Sequence, residues 1–380
     1  MIYLDNAATS FPKPEAVAAE MYNCVKNYSG NPGRSGHALS IAANEKVFEC
    51  RERVSALFGC PGPEKVIFTL NTTHALNLLI KGVLRQGDHV LISDLEHNSV
   101  FRPIYRLARD GHISYDIFPT LALEGRRTPS QICAGIAALI RPNTRLLITL
   151  HSSNICSAAL PLREIGQLCR RRGIFFAVDA AQSAGHLEIN MTRMFIDALC
   201  LPGHKGLLGP MGSGMLLLNG DRLLDTLTEG GNGVNSFEGE MPDSPPERYE
   251  TGTLALPAIV GLCEGIKVVE AQGTLSIRAH NEKLWRSTYE MLSSVKGVKI
   301  YAPDHVGSVL LFNVGDIPSD RVCRELDRRG ICLRGGFHCS PLGHKTLMTP
   351  PDGAVRASFG IYNTQSDVEA LWKAVRDIAK

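Results

Sequence analysis

The chain has 380 residues, of which 44% are hydrophobic and 21% are charged. This composition excludes a disordered chain, and the length predicts two domains, or one large domain with an addition. Forty basic and 38 acidic residues leave a formal net charge of +2, which argues against a nucleic-acid partner. No apolar run reaches the roughly 18 residues of a membrane span, and the N-terminus lacks the pattern of a secretory signal. We therefore predict a cytoplasmic enzyme with no membrane partner.

Short apolar runs alternate with helical patterns through the first 220 residues. Segments 73–86 and 161–172 carry apolar residues at helical spacing. The runs predicted to be buried strands lie at 66–70, 90–92, 146–150, 174–178, 196–201 and 215–218. Strands that are apolar throughout and are joined by helices predict a mostly parallel sheet covered on both faces. Such sheets bind ligands at the carboxyl ends of their strands.

The second part of the chain has a different pattern. Residues 229–250 are rich in Gly, Asn, Pro and Glu and are predicted to form a loop, and one long helix is predicted over 257–295. The remaining pattern predicts strands at 298–301, 308–314, 332–334 and 355–359 and helices at 319–329 and from residue 365. We predict a large domain over 15–260 and a smaller α+β domain over 261–380 that includes residues 1–14.

Eleven cysteines are present, and none of them has C-x-x-C spacing. Neither a zinc site nor any other metal site is predicted, and without an export signal the thiols are expected to be reduced. Most of the cysteines are interpreted as small buried hydrophobes. Cys339 differs because it follows His338 in a glycine-rich loop, where an accessible thiol beside a histidine ionises more readily than one in a core. An incidental loop cysteine is the alternative.

Three segments place reactive or phosphate-binding groups directly after predicted strands. Lys205 lies in a glycine-rich loop, where a desolvated amine forms imines, although lysines beside glycines are also common in surface loops. Asp179 ends an apolar strand, where a carboxylate suits a pyridinium nitrogen or the N-cap of a helix. Thr72 and Thr73 stand where a strand meets a helix, which suits a phosphate or a routine N-cap. Together and in this order, the three segments are far more specific than any one of them.

The chain resembles the class V aminotransferase-fold enzymes that use pyridoxal 5'-phosphate, and within them the cysteine desulfurase and selenocysteine lyase group. The similar segments are YLDNAATS at 3–10, NPGRSGHALS at 31–40, NTTHALN at 71–77, DLEHNSV at 94–100, HSSN at 151–154, VDAAQSAGH at 178–186, GHKGLLGP at 203–210, RYETGT at 248–253, RGGFHC at 334–339 and VRASFGIYNT at 355–364. The resemblance implies the α/β fold of fold-type I transferases, with a mostly parallel seven-stranded sheet in the large domain and a smaller α+β C-terminal domain. The short R-x-G-x-H-C form is similar to the second group of desulfurases, whose loop is compact.

The resemblance also implies roles for the matching residues around the cofactor. Lys205 would hold the cofactor covalently through an imine, Asp179 would pair with the pyridine nitrogen, and Gln182 would reach the phenolic oxygen. His97 would stack on the ring and take part in proton transfer. The phosphate would be bound by Thr72, Thr73, His204 and Thr253, the last from a neighbouring subunit. The role of Thr253 implies a homodimer with active sites at its interface.

For the substrate, the resemblance implies that Asn154 and Arg356 bind the carboxylate. A guanidinium suits this task because it donates two parallel hydrogen bonds, and a surface ion pair is the alternative for Arg356. Arg334 is a further candidate for positioning the substrate. Cys339 would take the sulfur of L-cysteine as a persulfide, leaving L-alanine, and would pass it to an acceptor protein or a small thiol.

Several alternatives stay open at this point. The same scaffold suits a selenocysteine lyase acting on L-selenocysteine, an aminotransferase, or a C–S lyase that releases pyruvate and ammonia, and a non-catalytic sulfur-trafficking protein is a further alternative. Three positions depart from the family pattern. Pro202 replaces Ser or Thr before the GHK triplet, Phe337 replaces a second histidine before the cysteine, and Ser340 replaces the alanine after it. These departures concern substrate preference and persulfide handling rather than cofactor binding.

Overall fold

The computed structural model describes residues 1–33, 35–122, 125–234 and 236–380, so position 34 of the motif at 31–40 lies outside the described residues. The chain begins with a two-residue strand and two helices, β1 (Ile2–Tyr3), α1 (Glu15–Asn23) and α2 (Ala38–Phe58). A central sheet follows, made of β2 (Val66–Thr69), β3 (His89–Ser93), β4 (Ser114–Phe118), β5 (Thr144–Leu150), β6 (Phe175–Asp179), β7 (Ala198–Pro202) and β8 (Gly214–Leu218).

The seven strands are arranged in the order β2-β8-β7-β6-β5-β3-β4. Strand β8 runs antiparallel to both of its neighbours, and the other pairings are parallel. The prediction of a mostly parallel sheet is confirmed, as is each strand predicted within it. The residue pattern missed β4, because this edge strand is half-exposed along most of its length and has no continuous apolar run.

Both faces of the sheet are covered, as its apolar strands require. Leu91 and Leu147 pack in one hydrophobic cluster, whereas Val90 and Leu146 pack in another on the opposite face, since neighbouring strand residues point in opposite directions. The connecting helices are α3 (Thr72–Val83), α4 (Asn98–Arg109), α5 (Pro129–Leu139) and α6 (Leu162–Arg172). Across the described part of the chain, no helix is long and apolar enough to cross a membrane.

The prediction of one helix over 257–295 is wrong. Two helices occupy this range, α7 (Leu256–Gln272) and α8 (Thr274–Ser293), and Gly273 separates them with a φ of +79°. Glycine adopts a positive φ at little cost because it has no Cβ atom, so this one residue ends the first helix and redirects the chain. The loop predicted over 229–250 is confirmed, since its described residues form neither helix nor strand.

The C-terminal part forms a three-stranded antiparallel sheet in the order β12-β10-β9. Its remaining elements are β9 (Val298–Tyr301), β10 (Val309–Val314), α9 (Ser319–Asp327), β11 (Ile331–Cys332), α10 (Pro341–Thr346), β12 (Val355–Ser358) and α11 (Gln365–Ile378). Strand β1 pairs in parallel with β11, and Leu4 lies in the same hydrophobic cluster as Trp285 and Phe312. The predicted boundary between residues 260 and 261 falls inside α7, which packs against α1 and α2, so the domain limits stay a prediction.

Candidate active site

A cleft of about 550 Å³ lies at the carboxyl ends of the parallel strands. Parallel strands end at one edge of a sheet, so the loops that follow them converge there. The predicted site residues that line the cleft are Thr72, Thr73, His97, Asn154, Asp179, Gln182, His204 and Lys205. Residues separated by more than 130 positions in the sequence are thereby brought to one place.

Lys205 follows β7 and projects its amine into this cleft. Burial lowers the pKa of Lys205 to about 8, although the nearby carboxylate of Asp179 opposes the change, and Arg356 and Arg334 lower the pKa further. At neutral pH a useful fraction of the amine is therefore unprotonated. A neutral buried amine is the nucleophile that imine formation requires.

Asp179 is the last residue of β6 and is 4% exposed. Its backbone is held between Leu150 of β5 and Cys200 of β7, and its Oδ1 accepts a hydrogen bond from the Ala181 N–H at 2.9 Å. Burial raises the pKa of Asp179, and the charge of Lys205 opposes that effect. The alternative role as a helix N-cap is wrong, because turns rather than a helix follow it.

The first turn of α3 has the features of a phosphate site. Asn71 is the N-cap of this helix, and its side chain accepts a hydrogen bond from the His74 N–H at 2.9 Å. The routine N-cap role considered for the two threonines therefore belongs to Asn71. The Thr72 hydroxyl is buried and has no hydrogen-bond partner within the described residues. An unsatisfied donor at the positive end of a helix suits an anionic group with several acceptor oxygens.

His97 and Gln182 line the cleft, and each also forms a hydrogen bond with another part of the chain. His97 is the N-cap of α4, and its Nδ1 accepts from the Ser99 N–H at 3.1 Å, which assigns the ring proton to Nε2. Burial lowers the pKa of His97 to about 4, and the charges of Lys205 and Arg334 act in the same direction, so the ring is neutral at pH 7. Gln182 Nε2 donates to the Ala7 carbonyl oxygen at 2.9 Å.

Beneath the cleft lies Glu96, a residue that the sequence reasoning missed. Its side chain is fully buried, and its Oε1 accepts from the Leu150 N–H at 3.0 Å. Burial raises the pKa of Glu96 to about 8, so the carboxyl group is mostly protonated at neutral pH. The signal in the sequence was an acidic residue directly before His97, in a segment already recognised as part of the family pattern.

Arg356 and Asn154 lie side by side with unsatisfied polar atoms. The Arg356 guanidinium is 1% exposed, donates to Asp5 Oδ1 at 2.7 Å and to the Asn154 carbonyl oxygen at 3.2 Å, so the surface ion-pair alternative is wrong. Within the described chain, Arg356 Nε and Asn154 Oδ1 are buried without a hydrogen-bond partner. One free donor and one free acceptor suit a small molecule that carries both a carboxylate and an N–H group. Sequence reasoning missed Asp5, although it lies in the YLDNAATS segment.

Cys339 is exposed, whereas the other ten cysteines are buried or half-buried. Its carbonyl oxygen accepts from the Asn98 N–H at 2.7 Å, which joins the loop to the start of α4, next to His97. Arg334 Nη2 lies 3.9 Å from the Cys339 sulfur. The expectation that His338 assists the thiol is wrong, because one ring nitrogen lies 3.2 Å from His344 Nε2 and the other lies 3.0 Å from the Arg334 carbonyl oxygen. The cation beside the thiol is Arg334.

The loop around Cys339 is held in an uncommon backbone conformation. His338 has a φ of +50° and Cys339 a φ of +56°, both in the left-handed region. For residues other than glycine this region costs about 1–3 kcal/mol each, so contacts around the loop must hold it. One such contact is from Asn154 Nδ2, which donates to the His338 carbonyl oxygen at 2.8 Å.

Thr253 does not line the cleft of its own chain and is exposed. The segment before it is firmly anchored, because Glu250 forms a buried ion pair with Arg51 at 2.6 Å and accepts from the Phe68 N–H at 2.7 Å. The anchor ties the segment that carries Thr253 to β2, the strand that leads into the phosphate site. Thr253 therefore does not contribute to the cleft of its own chain.

Comparisons with known proteins identify the family of the chain. The family described as aminotransferase class-V matches residues 2–371. A probable cysteine desulfurase of Methanothermobacter thermautotrophicus is 33% identical over 386 residues, covering 100% of this chain and 94% of the relative. One of Pyrococcus abyssi, also named a probable cysteine desulfurase, is 32% identical with the same coverage.

Solved structures of other proteins are similar to this chain over nearly its whole length. The apo structure of a cysteine desulfurase from Thermococcus onnurineus NA1 has a TM-score of 0.89 and 31% identity, covering 100% of this chain and 94% of that one. The cysteine desulfurase CsdA of Escherichia coli, in an S-sulfonic acid form, has a TM-score of 0.87 and 27% identity, covering 99% and 94%. The resemblance read from the sequence motifs and the predicted fold are thus confirmed: the chain belongs to the aminotransferase class-V family.

Proposed function

We propose that this protein is a pyridoxal 5'-phosphate-dependent cysteine desulfurase that converts L-cysteine to L-alanine and leaves the sulfur on Cys339 as a persulfide. The observation that carries the proposal is a single cleft that joins Lys205, Asp179 and the unpaired Thr72 hydroxyl. The one exposed cysteine lies on a loop that accepts a hydrogen bond from Asn154, a residue of the same cleft. When bound, pyridoxal phosphate stores the electron pair left on the substrate when its α-proton is removed.

Each part of the cleft suits one part of the cofactor. Lys205 supplies the neutral amine that attaches to the aldehyde, and Asp179 is the buried carboxylate for the pyridine nitrogen. Gln182 lines the same cleft and is assigned to the phenolic oxygen. The phosphate is assigned to Thr72, Thr73 and His204. The unsatisfied Thr72 hydroxyl supports this assignment, because a phosphate oxygen would satisfy it.

The substrate is held next to these groups. Arg356 orients the amino acid through its carboxylate, to which the otherwise unpaired Nε donates, and the otherwise unpaired Asn154 Oδ1 accepts from an N–H group of the bound molecule. Lys205 then removes the α-proton, a task suited to an amine with a pKa of about 8. His97 carries its proton on Nε2 and is neutral, so it donates a hydrogen bond without adding positive charge to the cleft.

Sulfur transfer to Cys339 follows. The Cys339 thiolate attacks the substrate sulfur, an S–S bond forms, and the C–S bond breaks with its electron pair remaining on carbon. A proton added to that carbon gives alanine, so one cysteine and one enzyme thiol become one alanine and one enzyme persulfide. Arg334 Nη2 lies 3.9 Å from the Cys339 sulfur, so the guanidinium faces the atom that attacks. An acceptor protein or a small thiol then takes the sulfur. Eleven unpaired thiols suit a reducing compartment, so we place this reaction in the cytoplasm.

We further propose that the protein acts as a homodimer in which Thr253 of one subunit completes the phosphate site of the other. The exposed position of Thr253 supports this arrangement, as do several large exposed apolar side chains: Tyr22, Val25, Leu70, Met211 and Phe237. Exposed apolar side chains of this size are typical of surfaces that another chain covers. Of these residues, Leu70 lies directly before Asn71, the N-cap of α3, whose first turn is assigned to the phosphate.

The main test is a substrate panel with wild-type protein and Cys339→Ser. Wild type should form alanine from L-cysteine without pyruvate, and Cys339→Ser should lose at least about 100-fold of that rate while keeping the cofactor absorbance. Cys133→Ser, a half-buried cysteine away from the cleft, serves as the control. Full alanine production by Cys339→Ser would show that no persulfide forms at this residue. Pyruvate as product would favour a C–S lyase, and faster turnover of selenocysteine would favour a selenocysteine lyase.

The homodimer is tested by mixing two inactive variants in one cell. Lys205→Ala lacks the reactive amine, and Thr253→Asp places a negative charge against the phosphate. If Thr253 acts across the interface, a mixed dimer contains one intact site and regains up to about half of the wild-type activity per dimer. If Thr253 acts within its own chain, the mixed dimer contains no intact site and stays inactive.

A further inference from the structure

Two buried imidazole rings lie edge to edge, in nearly parallel planes, beneath the Cys339 loop. His338 belongs to the loop and His344 to α10, and each is 3% exposed. Their ring planes differ by 14°, their centroids are 5.4 Å apart, and His338 Nδ1 lies 3.2 Å from His344 Nε2. Burial lowers the pKa to about 2 for His338 and about 4 for His344, so both rings are neutral at pH 7.

The groups at the two ends of this pair assign its protons. His338 Nε2 lies 3.0 Å from the Arg334 carbonyl oxygen, which only accepts hydrogen bonds, so Nε2 carries the proton. His338 Nδ1 must then accept from the Nε2–H of His344. This leaves His344 Nδ1 to accept from the Thr349 hydroxyl at 2.8 Å. The hydrogen bonds therefore run in one direction, from Thr349 through both rings to the backbone of Arg334.

This series of hydrogen bonds ends on the residue whose side chain reaches the thiol. The Arg334 carbonyl oxygen also accepts from the Arg356 N–H at 2.9 Å, and the Arg334 guanidinium is the group 3.9 Å from the Cys339 sulfur. His338 and Cys339 occupy the left-handed backbone region in succession. Residues with a Cβ atom rarely stay there unless other contacts hold them, and the two imidazoles supply such a contact from inside the fold.

We propose that His344 is a positioning residue for sulfur transfer: it fixes His338 and so keeps the Cys339 sulfur beside Arg334. The inference deepens the proposed function and rests on it for the effect on turnover. Its geometric consequence, the reactivity of the Cys339 thiol, can be measured without turnover. His344 also packs edge-on against Phe337, with ring centroids 5.4 Å apart. Phe337 stands where the family pattern has a second histidine, so in this chain a second imidazole approaches His338 from α10 instead.

The test compares His344→Gln with His344→Leu in the full-length holoenzyme. Glutamine keeps an N–H donor that reaches His338, whereas leucine has similar bulk and no polar atom. His112→Leu, at an exposed histidine between α4 and β4, is the control. The measurements are kcat and KM for L-cysteine, the cofactor absorbance, and the rate at which iodoacetamide alkylates Cys339, with Cys339→Ser as the blank.

We expect His344→Leu to lower kcat about tenfold and to slow alkylation by a similar factor, while KM and the absorbance stay within about twofold. The thiol reacts more slowly because it loses the adjacent guanidinium. His344→Gln should recover both rates to within about threefold of wild type. If His344→Leu does not fold, as judged by thermal unfolding, Thr349→Val interrupts the same hydrogen bonds from the other end and should slow alkylation about threefold.

The inference is overturned if His344→Leu alkylates and turns over at wild-type rates, or if His344→Gln is as impaired as His344→Leu. Failure of the proposed function looks different, because wild type would then form no alanine from L-cysteine. In that case the alkylation rates of the His344 variants still decide whether His344 positions Cys339.

Discussion

The cleft and the Cys339 loop hold their functional groups in different ways. In the cleft, Asp179 ends β6 and Thr72 begins α3. Lys205 lies shortly after β7, in a turn closed by the hydrogen bond from the Leu208 N–H to its carbonyl oxygen, so backbone hydrogen bonds place all three groups. In the loop, neither helix nor strand contains Cys339, and side-chain contacts from His344 and Asn154 hold the backbone around it. The buried groups are thus placed mainly by backbone hydrogen bonds, whereas the loop that carries the exposed thiol is held by side-chain contacts in addition to its backbone hydrogen bond with Asn98.

Substitutions in the cleft and substitutions around the loop should therefore have different effects. Changes in the cleft should alter cofactor chemistry and leave the thiol as reactive as before. Changes around the loop should alter sulfur transfer and leave the cofactor in place. The two regions meet at Arg334 and Arg356, which share a backbone hydrogen bond and both lower the pKa of Lys205.

The largest effect is expected for Lys205→Ala. Alanine formation should fall by at least about 1,000-fold, because the variant lacks the amine that binds the cofactor and moves the α-proton. The absorbance of the imine-bound cofactor at about 410–430 nm should also be lost. Alkylation of Cys339 should stay within about twofold of wild type, which would separate the cleft from the loop.

Lys81→Ala, at an exposed lysine in the last turn of α3, is the matched control and should behave as wild type. Retention of a tenth of the activity in Lys205→Ala would contradict the role given to this amine. A large change in Cys339 alkylation would show that the two regions are not independent.

A smaller effect is expected for Asp179→Asn, which removes a buried charge at nearly constant size. The amide does not stabilise a protonated pyridine nitrogen, so alanine formation should fall about 100-fold while Cys339 alkylation is unchanged. Asp116→Asn, on the half-exposed edge strand β4, is the control. Steady-state rates and absorbance spectra give the comparison, and near-wild-type turnover by Asp179→Asn would rule out the pairing with the ring nitrogen.

The pH dependence of the free energy of unfolding tests the buried histidines of both regions. Burial lowers the pKa of His97 at the cleft to about 4, and the pKa values of His338 in the loop and His344 in α10 to about 2 and 4, against 6.5 for an exposed histidine. Below pH 6.5 the unfolded chain therefore binds more protons than the folded one, so stability falls as the pH falls. From pH 6.5 to 5.5 each buried histidine should remove about 1 kcal/mol from the free energy of unfolding.

Urea denaturation at the two pH values measures this effect. His344→Gln should lose about 1 kcal/mol less than wild type over the same interval, because one titrating group is absent. Equal losses in wild type and variant would mean that His344 is not held neutral by the fold.

The smallest effect is expected for Arg334→Gln, which keeps hydrogen-bond donors but removes the charge beside the thiol. Alanine formation and Cys339 alkylation should both slow about threefold to tenfold, with the cofactor absorbance unchanged. Arg321→Gln, at an exposed arginine on α9, is the control. If only KM for L-cysteine rises, Arg334 acts on the substrate carboxylate, as first suggested by the family resemblance, rather than on the thiol.

The local pattern of the chain was enough to find the main parts of the cleft. Apolar runs followed by a polar residue mark the points where buried strands end, and parallel strands end at one edge of a sheet. Asp179, Lys205 and Thr72 each follow such a run, so they were expected to meet, and the structure brings them together. A different signal, the glycine-rich loop after Arg334 with His338 directly before the thiol, singled out Cys339, the one cysteine that the fold leaves exposed.

Other features depend on contacts between distant positions, which periodicity and composition do not record. Arg356 is paired with Asp5, at the opposite end of the chain, and β4 is a strand because β3 pairs with it rather than because of its own residues. His338 looks like a partner of Cys339 in the sequence, yet its ring turns inward to His344. The side chains of adjacent residues can point in different directions. Which side chains meet is decided when the chain packs, because only then do burial and hydrogen bonding select one arrangement.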